Sequence, residues 1–333
     1  MAVTPSRIID LANAYFNSCV LFASCDLGVY DFLAAHPSVT AGEVAKGLQL
    51  DSRAIRRLLD ACAALGLVRK SSDTYELTEE SATFLVKGSP GDLSAALRYN
   101  RDVYQAWGRL PEHIRTGKPV ERPELHLGES HDRTRTFVSA MHGRALALGR
   151  VVVPQLDLAG RRRVLDIGGG PGTFSVLITQ ANPAVSCTVV DLPEIVAIAA
   201  ELIEEQGASE RVSTLPGDYH VVPFPEGNDV AVCFGMLHQE TPESIQDILS
   251  RANKALLPGG VVYIMDMMTD ATRTAPAFST LFSLNMSLTT DNGWVFSDED
   301  LGRWLIRAGF IDYSVAPVGG HLPHWLATAR KPA

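Results

Sequence analysis

Cysteine is scarce in this sequence, and the cysteines that occur form no disulfide or metal-binding pattern. Five are spread along the chain, and none belongs to a Cys-x-x-Cys pair. Most lie in apolar runs, which is typical of reduced, buried cysteines in a cytosolic protein. Histidine, aspartate and glutamate also form no cluster with the spacing of metal ligands, so the sequence predicts no metal site.

Basic residues and long apolar runs are also few. The chain has 29 lysine and arginine residues against 38 aspartate and glutamate residues, a formal net charge of −9. An acidic surface repels a phosphate backbone, so nucleic acid is not an expected partner. The apolar run 19–23 is much shorter than the ~18 residues of a membrane span, and the first residues lack the pattern of a secretory signal. We expect a cytoplasmic protein with no membrane partner.

Two patterns of secondary structure meet near residue 155, which agrees with the two domains expected for 333 residues. Apolar residues recur at helical spacing from Ile8 to Ala35, and Thr40 and Asp51 are predicted to cap two further helices. A short hairpin follows residue 67. Helices followed by a hairpin are the order of a winged helix. We predict a winged-helix-like dimerisation domain over 1–90, and a helical linker over 91–155.

From Arg163 onward, short β runs alternate with helices. Strands are predicted at 164–167, 187–190, 212–215, 229–234 and 260–265, and helices at 173–181, 194–206 and 242–256. This alternation predicts an α/β domain over 156–333, built on a Rossmann-like, doubly wound and open parallel sheet.

A glycine-rich turn, Asp166-Ile-Gly-Gly-Gly-Pro-Gly172, joins the first of these strands to its helix. It departs from the dinucleotide fingerprint G-x-G-x-x-G, because Thr173 stands where the third glycine is required. The carboxylate of Asp166 suits ammonium and sulfonium groups better than a diphosphate. The turn therefore predicts a site for S-adenosylmethionine (SAM) that includes Gly168 and Gly170.

Further acids follow the next two strands. Asp191 ends the second strand, where its carboxylate can accept both ribose hydroxyls, and Leu192 can cover the adenine. Gly217-Asp218-Tyr219 follows the third strand and offers an acid for the adenine amine and a ring to stack on it. Each acid alone could be a helix cap or a solvated charge, but acids at three successive strand ends are a stronger signal. Phe234, which ends the fourth strand, completes the predicted cofactor site.

His238 lies just beyond the fourth strand, at the edge of the sheet where ligands bind. Methyl transfer from SAM needs little beyond alignment, because the sulfonium is already a good leaving group. An acceptor hydroxyl must lose its proton, and a neutral imidazole with a pKa of about 6.5 is a suitable base. The remaining histidines are mostly expected to pack or to cap helices.

In this order, the motifs resemble the class I small-molecule O-methyltransferases, which include caffeic acid and acetylserotonin O-methyltransferases. The resemblance covers nearly the whole chain and extends to Ser283-Leu-Asn-Met286 and Ala308-Gly-Phe310. It implies an intertwined homodimer in which the first helices of one subunit help to close the partner's acceptor pocket. It also implies that Asp266 orients His238. The residues implied on the acceptor side are Met141, Asn285 and Met286.

The chain departs from the family pattern near the predicted base. Gln239 and Glu240 replace the family's Asp-Trp, and Val295 stands where a second family acid is expected. Trp294 and Phe296 suggest an apolar pocket wall.

The leading prediction is a SAM-dependent methyltransferase that acts on a hydroxyl or thiol of a small metabolite. The missing acid leaves open a SAM-binding homologue with non-methylating chemistry. A ligand-sensing transcription regulator is a second alternative, and the acidic composition argues against it.

Overall fold

The computed structural model describes residues 3–89, 91–93, 97, 100–121, 131–319 and 322–333. The chain forms two compact units, Met1–Asp102 and Val103–Ala333. Residues from Val103 onward therefore belong to the second unit, whereas the sequence predicts a separate linker over 91–155.

The first unit is mainly helical and contains a small antiparallel sheet. Its described elements are α1 (Ser6–Asn13), α2 (Tyr15–Asp26), α3 (Val29–Ala35), β1 (Val39–Thr40), α4 (Ala41–Leu48), α5 (Ser52–Ala64), β2 (Val68–Ser71), β3 (Thr74–Leu77) and α6 (Glu79–Phe84). The strands are ordered β1-β3-β2. Tyr30, Leu59 and Tyr75 are almost fully buried and lie in the core of this unit.

Side-chain caps set the starts of two of these helices. The Thr40 hydroxyl accepts from the backbone of Glu43, whose carboxylate accepts from the backbone of Thr40, and Asp51 caps α5. The region of helical spacing from Ile8 to Ala35 forms three helices, α1, α2 and α3. The stretch is interrupted at Ala14 and again at Gly28, whose φ of 71° is left-handed.

The first two helices carry exposed apolar residues. No residue of α1 is buried within the described chain, and the side chains of Ile8 and Leu11 are exposed. Contrary to the expectation from sequence, Ser6–Asp26 is long and apolar enough for a membrane span, by length and composition alone. Those two properties do not distinguish a span from a helix that packs on another protein chain.

The second unit is built around a large sheet. Its described helices are α7 (Tyr104–Gly108), α8 (Leu110–Thr116), α9 (His131–Val152), α10 (Thr173–Ala181), α11 (Pro193–Glu205), α12 (Pro242–Ala255), α13 (Ala277–Thr289) and α14 (Asp298–Arg307). Its strands are β4 (Arg163–Ile167), β5 (Ser186–Asp191), β6 (Val212–Pro216), β7 (Asn228–Phe234), β8 (Leu256–Met267), β9 (Ile311–Pro317) and β10 (His324–Arg330).

These strands form a seven-stranded sheet in the described chain, in the order β6-β5-β4-β7-β8-β10-β9. The α/β doubly wound fold is confirmed, since β4 to β8 pair in parallel. Two strands that the sequence did not predict make the sheet mixed, because β10 pairs antiparallel with both β8 and β9. The first residue of β10 therefore lies beside the carboxyl end of β8.

Both faces of the central strands β4 and β7 are buried. Val164 packs with Val189 and Phe174 on the face covered by α10, whereas its neighbour Leu165 packs with Ile245 on the face covered by α12. Neighbouring residues of a strand point to opposite faces, so apolar residues at successive positions serve two cores. Because β4 to β8 run parallel, their carboxyl ends meet at one edge of the sheet.

Candidate active site

The glycine-rich turn leaves β4 in a left-handed backbone conformation. Gly168, Gly170 and Gly172 have φ values of 64°, 54° and 70°. Residues other than glycine rarely adopt such positive φ values. Gly169 is constrained differently, because a Cβ there would lie 2.7 Å from the carboxyl group of Asp166. The turn thus lies directly over a carboxylate.

That carboxylate is buried and only half satisfied. Asp166 is 1% exposed, and the Ser175 hydroxyl donates to its Oδ2 at 2.6 Å. Among the described residues no group is hydrogen-bonded to Oδ1. Burial raises the pKa of Asp166 to about 7, the nearby charge of Asp191 adds to the rise, and the Ser175 hydrogen bond opposes it.

Asp191 ties the turn to the end of β5. Its Oδ2 accepts from the backbone of Gly170 at 2.8 Å, and its Oδ1 accepts from the backbone of Leu192 at 2.8 Å. Burial raises the pKa of Asp191, although both backbone hydrogen bonds oppose the rise. Each oxygen keeps a second lone pair for a ligand hydroxyl. The side chain of Leu192 packs toward the cluster that contains Ile195.

The segment after β6 joins the same edge. The backbone of Gly217 donates to the carbonyl of Asp191 at 2.9 Å. The Oδ1 of Asp218 accepts from the backbone of His220 at 2.9 Å and contacts its Nδ1 at 2.6 Å. The predicted adenine residue Asp218 is therefore already held by a histidine that the sequence did not mark as part of the site.

Glu240 completes this cluster from the loop after β7. It is 6% exposed, and it accepts from the Tyr219 hydroxyl at 2.7 Å and contacts Nε2 of His220 at 2.8 Å. The Ser244 hydroxyl also donates to it. Burial lowers the pKa of His220, but Glu240 and Asp218 outweigh it, and the net shift is upward. The imidazole of His220 thus bridges the buried carboxylate of Glu240 to a second acid, Asp218.

The predicted base and its partner acid are in direct contact. Nδ1 of His238 lies 2.7 Å from Oδ1 of Asp266, and the His238 backbone donates to Oδ2 at 3.2 Å. His238 is 8% exposed and Asp266 is 1% exposed. Because a carboxylate only accepts, this contact places a proton on Nδ1 and leaves a lone pair on Nε2 of the neutral ring.

An aromatic ring from α13 packs against the imidazole, and a second ring packs against the first. The ring of Phe282 meets His238 edge to face at a centroid distance of 5.4 Å, and Phe278 stacks on Phe282 at 6.3 Å. The sequence did not single out either ring, although Phe282 directly precedes the quoted motif at Ser283.

The segment that lacks the second acid is apolar. Val295 is 3% exposed, and its backbone donates to the hydroxyl of Ser283. The prediction of Phe296 as a pocket wall is wrong, because its side chain is fully buried and packs on Trp304. Trp294 is half-buried, donates through Nε1 to the carbonyl of Glu240, and lies under the guanidinium of Arg273.

The remaining predicted residues occupy varied positions. Met141 is half-buried on α9, and Met286 is buried on α13. The Oδ1 of Asn285 accepts from Nε1 of Trp107 at 2.9 Å, so this oxygen already has a structural partner. The ring of Phe234 packs on Phe174 in the core at 5.0 Å.

The described residues contain no group of three or more histidine, cysteine, aspartate or glutamate side chains arranged to hold a metal ion. All five cysteines belong to the described chain and are free thiols.

The donors and acceptors at this edge fit SAM. The unpartnered, buried Oδ1 of Asp166 is an acceptor that an ammonium group would satisfy. A Cβ at Gly170 would meet no described atom within 4 Å, so there is open space beside the turn. The remaining lone pairs of Asp191 suit a pair of ribose hydroxyls.

Comparison with known proteins agrees with this geometry. Residues 123–311 match the family described as the O-methyltransferase domain. Residues 9–87 match the O-methyltransferase dimerisation domain.

Individual relatives extend over almost the whole chain. The chain is 32% identical to the tetracenomycin polyketide synthesis 8-O-methyl transferase of Streptomyces glaucescens, over 98% of this chain and 97% of the relative. It is 31% identical to the 3-hydroxy-5-methyl-1-naphthoate 3-O-methyltransferase of Streptomyces sahachiroi, over 92% and 89% of the two chains.

The fold is shared with human N-acetylserotonin methyltransferase, which was solved in complex with SAM. The TM-score is 0.86 at 28% identity, with coverage of 100% of this chain and 99% of the human chain. The comparisons give no support to a transcription regulator. The chain therefore belongs to the O-methyltransferase family, and it is a SAM-dependent methyltransferase of small molecules.

Proposed function

We propose that this enzyme methylates a hydroxyl group on an aromatic metabolite and that His238 is the general base. The contact between Nδ1 of His238 and Asp266, at 2.7 Å, is the observation that carries the proposal. It presents Nε2 as the basic nitrogen at the edge of the sheet where the cofactor residues meet. The rings of Phe282 and Phe278 supply flat apolar surface beside it.

Two relatives support an aromatic or polyketide acceptor. One is named for a hydroxynaphthoate, and the other is named for tetracenomycin polyketide synthesis. A thiol acceptor remains the alternative predicted from the sequence, since a thiol also loses its proton readily.

One group of residues would bind SAM, and another would act on the acceptor. Asp166, Asp191 and Asp218, with Tyr219 beside them, would hold SAM, which supplies an electrophilic methyl group when bound. Nε2 of His238 takes the proton of the acceptor hydroxyl as the oxygen becomes nucleophilic. Asp266 keeps Nδ1–H in place and stabilises the imidazolium that forms.

The acceptor should be a hydroxyl that ionises easily. Asp266 is in contact with His238 and can stabilise the imidazolium. Val295 is buried and has no carboxylate that could add to this stabilisation. A phenol needs less assistance from a base than an aliphatic alcohol does. We infer that phenols are better acceptors than alcohols of the same size.

The test is a SAM-consumption screen with phenols, thiols and hydroxy acids, with mass spectrometry to locate the methyl group. For the best phenol, His238→Ala should lower kcat by about 10²–10⁴-fold, while the Kd of S-adenosylhomocysteine stays within about twofold because no cofactor contact is lost. His113→Ala is a matched control, since His113 is also buried and its Nδ1 lies 2.8 Å from the carbonyl of Lys118. Near-normal turnover by His238→Ala would show that His238 is not the general base.

We also infer that the first unit is a winged-helix-like dimerisation module within residues 1–90, and that the enzyme is a cytoplasmic homodimer. The match to the dimerisation domain supports this assembly. The order of α3, β1, α4, α5 and the β2–β3 hairpin is that of a winged helix.

A further inference from the structure

A second histidine lies near the His238–Asp266 pair. His324 is the first residue of β10, and it is paired across the sheet with Met267, the neighbour of Asp266. Because β10 is antiparallel to β8, its first residue lies at the edge where the parallel strands end. His324 is thus at the catalytic edge, although it follows all the other site residues in sequence.

One nitrogen of His324 lacks a partner. Its Nδ1 is buried, and no described group is hydrogen-bonded to it. A buried, unsatisfied polar atom costs about 1–3 kcal/mol, so native proteins rarely keep one without a use. A ligand that supplies the missing hydrogen bond recovers this cost when it binds.

Charged groups from three other parts of the fold act on His324. Asp266 belongs to β8, His238 to the loop after β7 and Arg144 to α9, and the charge of each shifts the pKa of His324. The pKa of His324 is lowered to about 4. Burial is the largest cause, His238 and Arg144 add to the lowering, and Asp266 opposes it. His324 is therefore neutral at physiological pH.

We propose that His324 determines acceptor specificity by hydrogen-bonding, through Nδ1, a second oxygen substituent of the acceptor. In the Nδ1–H tautomer the ring donates to a carbonyl or carboxylate oxygen. Asp266 and Arg144 act on His324 with opposite charges, and the effect of Asp266 is the larger. The preference for an oxygen substituent therefore comes from the hydrogen bond to Nδ1 and not from the local charge. This inference rests on the proposed hydroxyarene acceptor and adds a carboxylate or carbonyl on the same ring system.

A pair of matched probes tests this proposal by binding alone. The probes are 3-hydroxy-2-naphthoate and 2-naphthol, and isothermal titration calorimetry measures both against the protein saturated with S-adenosylhomocysteine. The wild type should bind the naphthoate more tightly. His324→Leu should weaken the binding of the naphthoate by about 10-fold or more, as expected for the loss of a hydrogen bond to a charged group. The same substitution should change the Kd of 2-naphthol by less than about twofold.

Two variants separate binding from packing. His324→Asn places an amide near the position of Nδ1 and should restore most of the naphthoate affinity. His142→Leu is the control, since His142 is part-buried in the same unit and contacts the Thr173 hydroxyl instead.

The possible failures differ from one another. Equal effects of His324→Leu on both probes, or no effect on either, would overturn the role of His324 and leave the aromatic acceptor standing. A wild type that binds neither probe would overturn both proposals.

Discussion

Asp166 is the residue whose protonation should couple directly to the cofactor. Its pKa of about 7 means that much of the folded protein holds a proton on this carboxyl near neutrality. An ammonium group binds the ionised form, so cofactor binding should release a proton. SAM affinity should then rise as the pH increases through about 7.

The measurement is calorimetry of SAM binding in buffers of different ionisation enthalpy at about pH 7. Proton release should disappear in Asp166→Asn. It should move to higher pH in Ser175→Ala, because the Ser175 hydrogen bond lowers the pKa. A binding enthalpy independent of the buffer in the wild type would contradict the assignment.

His220 should link folding stability to pH. Its pKa is raised above 6.5 in the folded chain by Glu240 and Asp218, against the effect of burial. The folded state therefore favours the protonated ring. This stabilisation is fully present below about pH 6.5 and is lost as the pH rises through the raised pKa.

Urea unfolding of the wild type and of His220→Asn from about pH 6 to about pH 9 checks this linkage. The wild type should lose more stability than the variant over that range. Parallel curves for the two proteins would show that the Asp218–His220–Glu240 contacts do not hold a charged imidazole in solution.

At the scale of elements, substitutions of two glycines can distinguish the effect of backbone strain from the effect of lost cofactor contact. Gly170 and Gly160 both have left-handed φ values, 54° and 72°, and a Cβ at either would meet no described atom within 4 Å. Alanine should cost about 1–2 kcal/mol of stability at both positions. Gly160 precedes β4, at the opposite edge of the sheet from Gly170.

Gly170→Ala should therefore weaken the binding of S-adenosylhomocysteine by about 10-fold or more. Gly160→Ala should leave the Kd of S-adenosylhomocysteine unchanged. Chemical denaturation and calorimetry on both variants supply the comparison. Equal cofactor affinities in the two variants would place the cofactor away from this turn.

Local elements are predictable from this sequence because their signals are local. The strand, turn and helix around Gly168 follow from residue spacing and backbone preference, and α10 begins and ends where predicted. The contact of His238 with Asp266 was anticipated by family resemblance. By contrast, β9 and β10 were not predicted, and the antiparallel pairing of β10 with β8 joins strands that are far apart in the sequence.

The unpredicted part of the site consists of contacts between separated segments. The sequence showed that Glu240 departs from the family pattern, but it did not show that His220 contacts Glu240. Either residue alone is compatible with a solvated charge. His324 gives even less local indication, since its significance comes from Asp266 and Arg144 on other elements. Such juxtapositions require the fold.

At the scale of the whole molecule, the exposed apolar residues of α1 and α2 should lie in the interface of a homodimer. Phe16 is 51% exposed within one chain and belongs to the matched dimerisation domain. Phe16→Glu should convert a dimer of twice the chain mass into a monomer, because it would bury a charge without a partner.

Light scattering measures the mass, and Val221→Glu is the control, since Val221 is 78% exposed outside that domain. A monomeric wild type would contradict the dimer. Co-sedimentation of the wild type with phosphatidylcholine vesicles would instead identify a lipid surface as the partner of Ser6–Asp26.

The position of β10 also has a consequence for synthesis on the ribosome. This strand follows the other described strands in the chain, yet it is inserted between β8 and β9. Until it emerges, β8 and β9 each leave a row of unpaired backbone groups that another chain can use. Because the same strand begins at His324, its insertion both shields the nascent sheet from aggregation and delivers the last residue of the proposed acceptor site.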